Sequence, residues 1–170
     1  MSVSTLAIMC DIIKEYMHLH CNQIWIYNQK RNIPTDFRLY VIVEYAGAVC
    51  YSSSKKHEET IDGLKTINAQ KMQETIRINL ISADPEAINR VGECIGALSS
   101  DYSQNVQATM GLTIASNPTS VLDASAAEVT RQLYRTIIEV KVLRAYVQEK
   151  TVPCYDDFSF EISNEKGIEL

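Results

Sequence analysis

Residues 131–147 constrain the fold of this chain more than any other segment, because they read as one β-strand of unusual length. Tyr134, Thr136, Ile138, Val140, Val142 and Tyr146 alternate onto one face, broken only by Arg144. Leu133, Arg135, Ile137, Glu139, Lys141, Leu143, Ala145 and Val147 take the other face, which mixes charge with apolar groups. No Gly or Pro interrupts the run, and it is dense in β-branched and aromatic residues. At about 3.3 Å per residue it spans roughly 55 Å. A compact chain of 170 residues has a diameter of roughly 40 Å. A straight strand of that length overshoots its own domain. It must bend, or part of it must pair with or lie on another molecule, and the expectation is assembly rather than catalysis.

The remaining pattern frames this strand. Leu6, Met9, Ile13, Tyr16 and Met17 predict a helix over 4–19, and Gln23–Tyr27 a short strand. Asn28–Thr35, polar and holding Pro34, is a connection. Phe37–Val43 is strand-like, and the pattern extends through Tyr45 to Tyr51 with Gly47 marking a bulge or bend. Ser52–Gly63 is small, polar and charged, so a flexible loop is expected over about 52–68. Met72, Ile76, Ile78 and Leu80 alternate with Gln73, Thr75, Arg77 and Asn79 in a further strand.

Asp84 and Pro85 then signal the start of a helix whose stripe is Ile88, Val91, Ile95 and Leu98. Gly92 and Gly96 beside that stripe are expected to allow close approach to the strands. Residues 103–122 look irregular, apart from a short strand at Met110–Ala115 and a turn at Asn117-Pro118. Phe158, Phe160 and Ile162 suggest a last strand before a polar tail at about 163–170. The class is α+β: a mixed, mainly antiparallel sheet with one long strand, flanked by two main helices, in a single domain over 1–170.

A net charge of −5 argues against broad nucleic-acid or anionic-membrane binding. Asp11 and Lys14 break the apolar start, so neither a signal peptide nor a membrane span is expected there. The five cysteines are odd in number and scattered, which fits reduced thiols in a protein made in a cytosol.

Candidate chemistry is sparse. His18 and His20, with Cys21 next to them, invite a metal, yet i, i+2 neighbours on a helix point apart, and a partly exposed helix end is the expected state. Cys50, His57 and Asp62 lack the context of a nucleophile, and Cys50 and Cys94 sit in apolar patterns as small core residues. Asp156 and Asp157 are adjacent and project to opposite faces of any strand. Glycine-rich phosphate loops are missing, so no cofactor and no metal is expected. Nine tyrosines against three Phe and one Trp supply amphipathic contact surface. The candidate subunit or partner interface is Arg135, Glu139 and Lys141, whose charges alternate in sign, with Tyr134 and Tyr146 on the same strand and Lys55 and Lys56 in the polar loop.

The element order from the first helix to the long strand is also that of a known family. The closest local matches are Ile33-Pro34-Thr35-Asp36-Phe37-Arg38-Leu39-Tyr40 and the strand–helix junction Leu80-Ile81-Ser82-Ala83-Asp84-Pro85. In these features the chain resembles the tail-terminator or neck-terminator proteins of tailed bacteriophages, over nearly its whole length. Thr35 stands where that pattern often has a second proline.

The resemblance implies a structural virion protein, not an enzyme. Such a subunit closes with its copies into a homohexameric ring at the head-proximal end of the tail. It stops tube polymerisation there and meets the neck or head-completion protein. Its partners are itself, the tail tube protein and the neck, with no membrane and no sequence-specific nucleic acid. Its place is the virion tail or neck, after assembly in the bacterial host cytoplasm. Another head–tail joining protein, of the tail-completion or head-closure kind, is the alternative within that biology. A small intracellular enzyme or a regulatory α+β binding module is the alternative outside it.

Overall fold

The computed structural model describes residues 4–27, 36, 38–60, 63–127 and 132–152. The elements, in chain order, are α1 (Thr5–Tyr16), β1 (Ile24–Ile26), β2 (Tyr40–Thr60), β3 (Gly63–Ser82), α2 (Glu86–Asn89), α3 (Val91–Ser99), α4 (Asp101–Met110), β4 (Leu112–Ile114), β5 (Ser120–Asp123), β6 (Ala126–Ala127) and β7 (Gln132–Val152). The sheet runs β1-β2-β3-β7-β4, with β5 and β6 also on β7. β1 lies parallel to β2, with Trp25 opposite Ile42, while β4, β5 and β6 are antiparallel to β7. Only two residues separate β2 from β3, too few for a parallel crossover, so that pair is antiparallel. The fold is α+β on a mixed, mostly antiparallel sheet. The expected connection at 28–35, the strand start at Phe37, Asp156-Asp157 and the last strand at Phe158–Ile162 lie outside the described residues.

The chain divides into two compact units, one holding the described residues up to Ser53 and from Gln70 to Tyr146, the other those within 54–69 and 147–152. In the larger unit, the expected inner face of β7 is the buried one. Thr136, Ile138, Val140 and Val142 are closed off from solvent, and Tyr134 packs at their border. Val41, Val43, Ile76, Ile78 and Leu80 join them from β2 and β3, and Ile8, Met9, Ile12 and Ile13 of α1 cover the layer with Ala97 and Leu98 of α3. Each such side chain contributes about 1.5–3 kcal/mol on burial. The opposite face carries a smaller cluster of Trp25, Tyr40, Ile42 and Ile81, in which the Trp25 and Tyr40 rings lie tilted with centroids 5.7 Å apart.

Local chemistry accounts for the helix ends. Ser4 caps α1, and His18, at φ +52°, turns the chain out of the helix in the left-handed region. Asp84 accepts from the Glu86 amide at 3.0 Å and the Ser82 hydroxyl accepts from Ala87 at 2.9 Å, but the helix starts one residue later than its sequence predicts, with Pro85 and not Asp84 at the N-cap and Glu86 as the first helical residue. The helix does not continue unbroken. Arg90, at φ −95° and ψ 11°, separates α2 from α3, and its guanidinium bridges Glu86, Glu93 and the Met17 carbonyl at 2.5–3.2 Å.

That break corrects the predicted stripe. Ala87, Cys94, Ala97 and Leu98 are buried, Val91 and Ile95 pack partly against the core, and Ile88 is 41% exposed. Gly96 does permit a close approach, but to α1: a Cβ there would meet the Tyr16 hydroxyl at 3.3 Å, whereas Gly92 faces open space. A third sizeable helix, α4, occupies much of the stretch expected to be irregular. Ser100 caps it by accepting from Ser103 at 3.1 Å, and Gly111 ends it at φ +64°.

Two further expectations change. The loop of about 52–68 is instead strand, since Ser52–Thr60 belongs to β2 and the residues from Gly63 onward to β3. Polar side chains suffice there because the backbone groups are satisfied by the ladder, and cross-strand pairs such as His57–Thr66 at 3.0 Å and Lys65–Glu149 at 2.9 Å fill its surface. β7 itself is longer than predicted, 21 residues, but β2 has 21 and β3 has 20. The length of β7 is therefore matched within the chain and does not by itself demand another molecule.

The register of α2 and α3 is open to test by paired substitutions. Val91→Asp places a carboxylate against the apolar core and is expected to cost about 3 kcal/mol or more. Ile88→Asp, on the exposed side of the Arg90 break, is expected to cost about 0.5 kcal/mol or less. Urea denaturation midpoints of the two variants check this.

Candidate contact surfaces

Two polar groupings and one open strand edge are the features of the described residues with functional potential. The first grouping lies on the outer face of the larger unit. Arg77 of β3 pairs with Glu139 of β7 at 2.6 Å, and Ser120 of β5 donates to the same carboxylate at 3.3 Å. One row along, Arg135 donates to the Asn79 side-chain oxygen at 2.8 Å, and Asn79 is buried. With Glu44 and Ile137 these residues line a depression of about 320 Å³. The Arg77 hydrogen bond holds the Glu139 carboxyl below the usual carboxylate range.

The second grouping interrupts the inner face. Glu74 is only 5% exposed and accepts a short hydrogen bond from the Tyr146 hydroxyl. Arg144 donates to the Thr5 hydroxyl at 3.1 Å, with its guanidinium carbon 5.3 Å from the centre of the Tyr146 ring. Burial, then the bond to Glu74, pushes the Tyr146 hydroxyl above its ordinary pKa. Oε2 of Glu74 is buried with no hydrogen-bond partner among the described residues. Alternation was the available signal, because Glu74 falls in the register of Ile76, Ile78 and Leu80 and Arg144 in that of Val142.

The predicted interface residues are thus distributed. Arg135, Glu139 and Tyr146 are engaged within the chain, Tyr134 packs on the core, and Lys141 is exposed. Lys55 and Lys56 are exposed in the smaller unit, where Lys56 bonds Glu58 at 2.7 Å. The five on β7 divide between its two faces, and Lys55 and Lys56 belong to the other unit.

Beyond Val43, where β1 ends its pairing, β2 has an open edge among the described residues, and Tyr45, Val49 and Tyr51 are at least half exposed along it. A long edge strand with exposed apolar side chains is a template for pairing.

Nucleophile and metal chemistry find little support in the geometry. Burial pushes the Cys10 and Cys94 thiols up to about 12, leaving too little thiolate for attack at neutral pH. Cys50, expected in the core, is exposed, because no described residue covers the β2 face that carries it there. His18 and His20 are exposed at the frayed end of α1, and no group of three metal-competent side chains occurs among the described residues. No described helix is long and apolar enough to cross a membrane. No protein-family model matches the sequence, and no curated protein matches it.

Three outcomes follow from this geometry. Tyr146→Phe leaves Glu74 buried without its donor and is expected to lower stability by about 1–3 kcal/mol in chemical denaturation. Since the Glu139 carboxyl is depressed from its ordinary 4.5, its pair with Arg77 stabilises above that pH and is lost as pH falls through the lowered value. Glu139→Gln is expected to lower stability slightly at neutral pH, where the pair is intact, to match the unmodified chain in acid, and so to flatten the acid limb of the stability–pH curve. Alkylation of the native chain at neutral pH, read by peptide mass spectrometry, is expected to label Cys21 and Cys50 and to spare Cys94 until the chain unfolds.

Proposed function

We propose that this chain is a structural subunit of a tailed-bacteriophage virion, which closes with copies of itself into a ring that ends the tail tube and joins it to the neck. The observation that carries the reading is the state of the smaller unit. Its described side chains, in three strand segments, include none that is buried. Strand segments with no buried side chain among the described residues are marginal by themselves in water. A neighbouring subunit supplies the missing contact area. The open β2 edge with Tyr45, Val49 and Tyr51 offers apolar surface of the kind that assembly covers. The α+β frame is in keeping with the resemblance to tail terminators, from which the hexameric number and the tube and neck partners are taken, although the polar loop in that resemblance is strand here.

The enzyme reading would rest on the buried Glu74 carboxylate and the half-buried Tyr146 hydroxyl of the inner face. The burial of Glu74 argues for a structural role, because a substrate has no open route to a carboxylate that is 5% exposed. In this reading the chain has no catalytic activity.

Native mass spectrometry with negative-stain microscopy tests the proposal. The expected result is a closed ring with a mass near six subunits, formed by the chain alone or on purified tail tubes. A chain that stays monomeric in both settings contradicts it.

A further inference from the structure

Two guanidinium groups, of Arg77 and Arg135, line the depression of about 320 Å³ on the outer face of the larger unit. They are not equally provided for. Arg77 has the Glu139 carboxylate at 2.6 Å. The half-buried Arg135 side chain has one acceptor among the described residues, the neutral side-chain oxygen of Asn79 at 2.8 Å, and its Nε is buried with no partner. A guanidinium carries five N–H donors, so a single amide oxygen leaves most of that capacity unused. An arginine withdrawn from bulk water is ordinarily matched by an anion.

The surroundings select among anions. Glu44 and Glu139 line the same depression, so its two positive and two negative charges cancel. A dianion is repelled by those carboxylates twice as strongly as a single negative charge, which favours a monoanion. Leu122 of β5 stands opposite Ile137 of β7, and the two give the depression an apolar wall. Ile137 lies two residues from Arg135, on the same face of the strand. A guanidinium beside an aliphatic wall matches a planar carboxylate carried on a short aliphatic stem. The volume suits a ligand of that size, at the lower end of the range for small-molecule sites.

We propose that this depression binds a monocarboxylate with a short aliphatic stem, its carboxylate on Arg135 and its stem against Ile137 and Leu122. All of these residues belong to the larger unit, so the site does not depend on ring closure. Two sources carry this chemistry, a free short-chain acid and the side chain of a glutamate on another protein.

Saturation-transfer NMR on the full chain tests the site with one probe for each source, butyrate and the capped peptide acetyl-Gly-Glu-Gly-amide. At least one is expected to receive saturation that levels off with concentration, and the tighter of the two names the source. Butyramide, which keeps the stem and lacks the charge, is expected not to compete. Arg135→Gln is expected to weaken binding at least about tenfold, through loss of a charge-assisted pair. Glu44→Gln removes a like charge and is expected to tighten binding about two- to threefold at low salt.

The absence of saturable transfer to either probe overturns the proposal. So does equal competition by butyramide, or binding that Arg135→Gln leaves unchanged. Circular dichroism checks the fold of each variant. If Arg135→Gln unfolds, Glu44→Gln decides, and an affinity it leaves unaltered overturns the site.

Discussion

The larger unit depends on one burial event, the closing of the β7 stripe Thr136, Ile138, Val140 and Val142 against the helices. Side chains on a strand alternate, so a slip of one residue would send Arg135, Ile137, Glu139 and Lys141 into the core. The outer face guards against that slip with pairs that exist in only one register, Arg77 with Glu139 and Asn79 with Arg135. Arg77 and Glu139 are partly exposed, so their value lies in specificity more than in energy. Where the apolar stripe ends, at Arg144 and Tyr146, polar partners take over: Thr5 holds the guanidinium and Glu74 accepts the phenol. The edge of the core is thereby sealed by hydrogen bonds instead of methyl groups.

How far the sequence reveals this arrangement follows from what each element relies on. β7, the inner face of β3 and α1 are legible because their stability comes from a one-sided apolar pattern. Ser52–Asn68 is not, because its strands are held by backbone ladders to neighbours far away in sequence, and polar composition says nothing about them. The shift of the α3 stripe is also hidden, since it follows from one residue, Arg90, leaving the helical range to satisfy Glu86, Glu93 and the Met17 carbonyl. α4 was within reach: Ser100 before Asp101 and Gly111 ten residues on are cap signals, outweighed in the pattern by a weakly apolar middle. Of the candidate site residues, Arg135 and Glu139 were recognisable as register-setting, but their partners proved to lie in the same chain.

The function proposed here accordingly shifts its footing. Strand length was the first reason to expect assembly, and β2 and β3 remove that reason by matching β7. What replaces it is the absence of buried side chains in the described part of the smaller unit. A domain completes its core within itself; a subunit can leave part of that work to a neighbour.

The central claim, that a second copy completes the smaller unit, is tested most directly by amide hydrogen exchange. The full chain is measured by mass spectrometry at concentrations below and above those at which it assembles. Completion by a neighbour predicts that amides of Ser54–Thr60 and Val147–Val152 gain protection on assembly, while those around Ile76 and Ile138 are already protected and do not change. Equal exchange of both edge segments in the dilute and assembled states would contradict it.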